Sequence, residues 1–340
     1  MKRTVLKTVG AMAFVGAGIA ASTAYVLLGH PFRNAEPVYL YVYPDDKLEQ
    51  IEGRLRDIAN PSCMWGLTLS DKIFGLSDKL RTGRYEVTSD MNMLALVRRL
   101  KNHAQAPVNL VVPSVRTVQD MAGRLGGKLM VDSAALADIL TDSVACAKLG
   151  YTTATVPALF IPNTYQVYWD ISIEDFLKRL VKENQTFWTD DRQAKSKALG
   201  MSREEVVTLA SIVDSETANN LEKPRIAGLY LNRIRVGMPL QSDPTVVFAV
   251  GDFSLRRILR KHLMVDSPYN TYIYKGLPPG PIRIPSVAGI DAVLNHETHS
   301  YLYMCAKEDF SGTHNFATSY AEHQQNARRY AKALDARGIK

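Results

Sequence analysis

The stretch Ser202–Thr217, SREEVVTLASIVDSET, fixes more of this chain's architecture than any other. Ser202 followed by Glu205 is a capping box, in which the two side chains satisfy amides that a first helical turn leaves open. Val206, Leu209, Ala210 and Val213 recur at i, i+3, i+4 and i+7, so one face of the helix has to be buried. At about 100° per residue, Glu216 falls one turn beyond Val213, at the margin of that stripe, and Asp214 points away from it. A carboxyl lodged against apolar neighbours is desolvated in its charged form, which raises its pKa and keeps it protonated near neutrality. That is the state a general acid needs. The ordinary alternative for such a residue is a solvated glutamate near a helix end.

What separates the two readings is the company Glu216 keeps. Pro224 opens a second helix whose Ile226, Ala227, Tyr230, Leu231 and Ile234 form an apolar face, closed by Gly237. Leu240–Val246 reads as a polar loop between apolar positions. Ser267–Ile282, SPYNTYIYKGLPPGPI, reads as a rigid aromatic loop able to floor a cleft. Tyr and Asn combine flat faces with donors and acceptors, which suits the amphipathic faces of sugar rings. The prolines fix the backbone, although turn chemistry alone also accounts for a Pro/Gly run.

With 340 residues, 46% of them hydrophobic, the chain can bury more than one core, and two or three domains are expected. Lys2, Arg3 and Lys7 precede an uncharged run from about Thr8 to Gly29, close to the roughly twenty residues that a bilayer core takes. A cleaved leader competes with this reading, because Ala20, Ala21 and Ser22 are small. The run, however, continues through Leu28, beyond the usual leader length. An uncleaved anchor with its N-terminus in the cytosol and its bulk outside follows from the positive-inside rule. Cys63, Cys146 and Cys305 lie far apart and without ligand spacing, so buried thiols are expected ahead of a single bridge. The net charge of +7 is spread along the chain without aromatic interleaving, which argues against nucleic acid and fits an anionic lipid or wall polymer.

Periodicity places a β-like run at Val38–Tyr43, helices at Leu48–Ile58 and Leu67–Leu80, a strand at Gly83–Val87 and a helix at Met91–Lys101. Together they make a small α/β module, read either as a recognition unit or as a spacer. A strand at Val108–Val112 and a helix capped by Thr117 follow. The aromatic tract Val156–Trp169 comes next, and then helical spacing over Ser172–Trp188. From about Ala317 to Ala336 a terminal helix is expected with Tyr320, Ala327, Tyr330 and Leu334 inward. His314 and His323 lack the spacing of a helical metal pair. His314 lines the cleft or is an ordinary hydrogen-bonded imidazole. No nucleophile elbow surrounds Ser211 or Ser215.

The motifs LASIVDSET (Leu209–Thr217), AGLYLNRIRVGMPLQSDPTV (Ala227–Val246), SPYNTYIYKGLPPGPI, YLYM (Tyr301–Met304) and GTHNFATSYAEH (Gly312–His323) occur in one order. In them the chain resembles the endolytic murein transglycosylase, or YceG-like, family over nearly its whole length. The resemblance implies an α+β fold. Its parts would be a cytosolic tip and transmembrane helix (1–30), a small LysM-like α/β module (37–106), a connecting region (107–160) and a larger mixed α+β catalytic domain with helices packed on mixed strands (161–340). It implies a lyase of the bacterial inner membrane that cuts the MurNAc-β-1,4-GlcNAc bond inside peptidoglycan strands, ending nascent strands in 1,6-anhydro rings. Neither cofactor nor metal is implied, and the expected partners are glycan strands, the cytoplasmic membrane and peptidoglycan synthases. Glu216 corresponds to the catalytic acid, with Gln241, Asp243, Thr245, Tyr269, Asn270 and Tyr272 as candidate sugar-positioning groups. Asp243 is also the one candidate for a second carboxylate, which would make a water-using muramidase. A non-catalytic glycan-binding tether is the third reading. The chain departs from the family pattern at Asp214, usually Glu, at Ile284-Pro285-Ser286, usually Asn-Pro-Gly, and at Val112-Pro113-Ser114-Val115, usually Val-Pro-Glu-Gly.

Overall fold

The computed structural model describes residues 2–255 and 257–338, and only the backbone of residues 2–11, 62 and 63. It divides into two compact units. One comprises the described part of Met1–Asn109 with Lys128–Met130 and Gln166–Ile171, and the other takes Leu110–Gly127, Val131–Tyr165 and the chain from Ser172 onward.

The first unit begins with helix α1 (Lys2–Leu28) and continues with strand β1 (Val38–Val42), helices α2 (Leu48–Leu55) and α3 (Pro61–Phe74), strand β2 (Gly83–Val87) and helix α4 (Met93–Lys101). β1 and β2 pair antiparallel, with Leu40 opposite Tyr85 and Val42 opposite Gly83. The period-two alternation of a strand puts Leu40, Val42, Tyr85 and Val87 on the buried face. Against it pack Ile51 and Leu55 of α2, Leu67 of α3 and Met93, Leu96, Val97 and Leu100 of α4. α3 starts and ends earlier than its apolar periodicity predicts. Pro61 sits in its first turn and Gly75 stops it in the left-handed region at φ 58°, a conformation that glycine adopts without steric cost.

Among the described residues no helix is long and apolar enough to cross a membrane. The expected anchor falls on α1. Its side chains are described only from Met12 to Leu28, which falls short of the roughly twenty residues a bilayer requires, and the remainder lies outside the described residues. The side chain of Cys63 also lies outside them, while Cys146 and Cys305 are free thiols.

The chain then runs through β3 (Val108–Val112), α5 (Val118–Gly126), α6 (Ser133–Thr141), α7 (Ser143–Lys148) and β4 (Asn163–Val167), the two strands forming a second two-stranded sheet. α8 (Ile173–Phe187) and α9 (Asp190–Ala198) lead into α10 (Arg203–Glu216), α11 (Lys223–Arg235), α12 (Asp243–Val250), α13 (Arg260–Leu263) and α14 (Val287–Leu294). β5 (Tyr303–Ala306) and β6 (His314–Ala317) form an antiparallel pair, and α15 (Tyr320–Ala336) closes the described chain.

The α+β class holds, but the expected packing of helices on mixed strands does not. Among the described residues every sheet has two strands, too few to floor a core, and the centre of the larger unit is helix on helix. α10 is its hub. Val206, Val207, Leu209, Ala210, Ile212 and Val213 are all buried, so apolar contact surrounds the helix where the sequence showed one stripe. Each such large side chain removed from water contributes about 1.5–3 kcal/mol. The capping box is formed as expected: Glu205 N–H donates to Ser202 Oγ, and Ser202 N–H to Glu205 Oε2. The terminal helix differs from expectation, with Tyr320 59% exposed and Asn326 its buried residue.

Candidate active site

Glu216 occupies the last turn of α10, where the helix leaves its apolar surroundings and opens onto a hollow of about 310 Å³. Tyr230 and Arg233 of α11, Gln241, Asp243 and Tyr272, and His314 of β6 line the same hollow. Two hydroxyls grip one oxygen of the acid. Tyr230 donates to Glu216 Oε1 at 2.7 Å and Ser242 donates to the same atom at 2.5 Å. Among the described residues no protein donor reaches Oε2. Burial pushes the Glu216 pKa up and outweighs the two hydroxyl bonds, which pull it down; the charge of Asp243 pushes it further up, and His314 opposes. Burial likewise raises Tyr230 well above an ordinary phenol, so it remains a donor.

The aromatic tract is fastened to the site by its backbone and its small residues, and Tyr272 lines the hollow. Thr271 is buried and holds the segment above the acid: Gln241 N–H donates to its carbonyl at 3.1 Å and Ser242 N–H to its hydroxyl at 3.0 Å. Gln241 takes φ 49° there, a left-handed conformation that is sterically costly for a residue with a Cβ and is held by these bonds. Further along, Ile282 N–H donates to the buried Ser211 Oγ, which fastens the proline run to α10. At Gly280 a Cβ would stand 1.9 Å from the carbonyl oxygen of Ala154, so only glycine allows that approach.

The expected sugar-positioning residues divide. Gln241, Asp243 and Tyr272 line the hollow, with the Tyr272 hydroxyl donating to Asp243 Oδ1 at 2.6 Å. Thr245 and Asn270 do not reach it. Both are fully buried, Thr245 donating to the Ser242 carbonyl and Asn270 Nδ2 to the carbonyls of Leu263 and Val265, so they hold the loop. Tyr269 packs its ring on Phe248, 4.7 Å between centroids. Asp243 and Thr245 stand on α12, where the sequence read a loop. Pro244 in the first turn starts that helix.

Ser242 and Arg233 had no counterpart in the reading of the sequence, and Tyr230 was read only as part of an apolar face. Arg233 is buried, donating to the carbonyls of Leu240 and Leu302. His314 is held by a buried carboxylate: its backbone N–H and its Nδ1 each lie 2.8 Å from an oxygen of Glu222. Asp214, expected to point away from the core, is buried and ion-paired with Lys223 at 2.7 Å. It also accepts from Ser286 N–H at 2.5 Å and Ser286 Oγ at 3.1 Å. The three departures from the family pattern thus gather in one place, since Ser114 donates to the Ile284 carbonyl and accepts from Arg283 beside that pair. Among the described residues no group of three or more His, Cys, Asp or Glu could hold a metal ion.

The family model of the YceG-like family matches residues 40–329. A protein named endolytic murein transglycosylase from Bacillus subtilis is 34% identical over 161 residues, 47% of this chain and 44% of that protein. One of the same name from Streptococcus pneumoniae is 26% identical over 280 residues, 73% of this chain and 50% of that protein. The chain therefore spans about half the length of the curated relatives it matches. A crystal structure of a yceG-like protein from Listeria monocytogenes superposes with a TM-score of 0.57 at 27% identity, covering 86% of this chain and 99% of that one. The chain belongs to the YceG-like family.

Proposed function

We propose that this protein is a membrane-anchored lytic transglycosylase that cuts within peptidoglycan glycan strands, with Glu216 as its acid. The observation that carries the reading is the Glu216 carboxyl itself: desolvated, its Oε1 occupied by two hydroxyl donors, its Oε2 left without a protein donor among the described residues. With two donors on Oε1, the carboxyl proton in this reading sits on Oε2. From there it passes to the glycosidic oxygen as the bond from C1 of the muramoyl residue breaks, and charge develops on the sugar ring. The carboxylate left behind accepts the proton of the muramoyl 6-hydroxyl while that oxygen closes on C1. The proton given is recovered, a 1,6-anhydro ring forms and no water is consumed. Tyr230 and Ser242 stabilise the transient carboxylate, and the buried Arg233 supplies positive charge to the hollow.

The names of the relatives support murein as substrate. The exposed Met12, Phe14, Val15 and Ile19 of α1 support seating the N-terminus in the inner membrane, the working unit outside and the smaller unit serving as a LysM-like glycan reader. Nascent strands, and through them the synthases that make them, are the expected company. Asp243 lining the same hollow favours the one competing chemistry, in which it activates water. Purified murein digested with wild type and with Glu216→Gln decides between them by mass. Anhydro ends that vanish in the variant support the lyase, reducing ends support the hydrolase, and undiminished cleavage by the variant removes Glu216 from either.

A further inference from the structure

A second hollow of about 470 Å³ opens beside the first, within the size range of sites for small organic groups. Asp243 lines both, and Ser215, the neighbour of Glu216 in sequence, lines the second. Its walls are Val247, Phe248, Leu255 and Ile258, and its charged lining is Arg116, Arg257 and Arg283 against one carboxylate, Asp243. The Arg116 guanidinium lies over the Phe253 ring, 5.1 Å from its centre. Arg283 is aimed by Ser114 Oγ, which accepts from its Nη2 at 2.9 Å. The arginines that form ion pairs among the described residues are others. The nearby carboxylates are engaged, Asp243 by the Tyr272 hydroxyl and Asp252 by Ser254.

Three guanidiniums are of no use to a backbone of N-acetylated sugars, which is uncharged. The acidic part of murein is the peptide arm that hangs from the lactyl ether of each muramic residue, with carboxylates separated by short apolar side chains. Guanidinium forks match carboxylates, and the aliphatic walls match the methyl groups between them. Resting on the lyase reading above, we propose that this hollow seats the peptide arm of the muramic residue next to the scissile bond, with Arg116, Arg257 and Arg283 receiving its carboxylates. The enzyme then recognises strands that still carry peptides, as newly made strands do.

The test compares cleavage of peptide-bearing strands with cleavage of the same strands stripped by an amidase and amidated at the lactyl carboxylate that the amidase frees, these uncharged strands serving as reference. Wild type is expected to show a kcat/KM on peptide-bearing strands higher by roughly tenfold, carried mainly in KM. Arg116→Gln/Arg257→Gln, both exposed positions, loses most of that ratio, and Arg116→Lys/Arg257→Lys keeps part of it. Equal rates on both strands by wild type, or an unchanged ratio in the Gln variant, would overturn the assignment. So would a peptide-free strand ending in a polyprenyl diphosphate that showed the same arginine-dependent advantage, because the cleft would then hold the diphosphate. Failure of wild type to generate anhydro ends on either strand would instead sink the lyase reading, and this inference with it.

Discussion

Asp214 and Glu216 stand two positions apart at the end of one helix and live in opposite electrostatic worlds. Asp214 meets an ammonium at 2.7 Å and two donors from Ser286, at the start of α14. Among the described residues Glu216 meets two hydroxyls and no ion-pair partner, and burial bears most on its charge. One carboxylate is neutralised by a partner and cements three helices. The other has no such partner, and burial pushes its pKa up, toward the protonated form that the proposed chemistry uses. Burial alone does not tell structure from chemistry; what a buried carboxyl is paired with does.

The two carboxyls should respond in opposite ways to substitution. Glu216→Gln is expected to lower strand cleavage by a thousandfold or more, on the order of what a positioned acid–base group contributes, with the helical content by circular dichroism unchanged. Lys223→Met is expected to do the reverse. It leaves Asp214 buried without its cation at a cost of about 3–5 kcal/mol, read as a lower midpoint in urea unfolding. A variant that lost activity but kept its midpoint would move Lys223 from the scaffold into the chemistry. Tyr230→Phe sharpens the picture around the acid. Loss of one hydroxyl bond to Oε1 should slow cleavage roughly tenfold and, because that bond holds the Glu216 pKa down, shift the alkaline limb of the rate profile to higher pH.

The smallest expected effect is on stability. A carboxyl whose folded pKa lies above its unfolded value of 4.5 contributes its full stability below that value and loses it as pH rises through the folded pKa. Glu216→Gln should therefore melt above wild type at neutral and alkaline pH, and the gap should close below pH 4.5. Melting temperatures across that range check it. No gap at any pH would mean that Glu216 ionises in the fold without cost.

What could be read in the sequence was local. The Ser202–Glu205 capping box, the Thr117 cap and the alternation at Gly83–Val87 are patterns within a few residues, and all are formed. Glu216 stood out because a carboxylate at the end of an apolar stripe is visible in the helical period. Its two hydroxyl partners were not, since Tyr230 satisfies an apolar pattern with its ring and Ser242 comes from a segment 26 residues away. The same reason hid the ion pair of Asp214, which helical geometry alone aims at solvent and which only Lys223 and Ser286 draw inward. α12 was missed because DPTVVFAV carries no amphipathic period, and Asp243 and Pro244 at its start read equally as a turn. Thr245 and Asn270 were of the right chemical type for binding sugar, but polar side chains that complete backbone bonds inside a loop have the same composition as those that face a ligand.

On the proposed reading Glu216 keeps its proton near neutral pH because burial outweighs the two hydroxyls and the His314 charge that oppose it. The most direct measurement is a carboxyl-carbon NMR titration of protein labelled with ¹³C glutamate, the Glu216 signal identified by its loss in Glu216→Gln. A midpoint well above the ordinary glutamate value of about 4.3 is expected. A midpoint at or below that value would show a carboxylate already charged at neutrality, and Glu216 could not then be the acid.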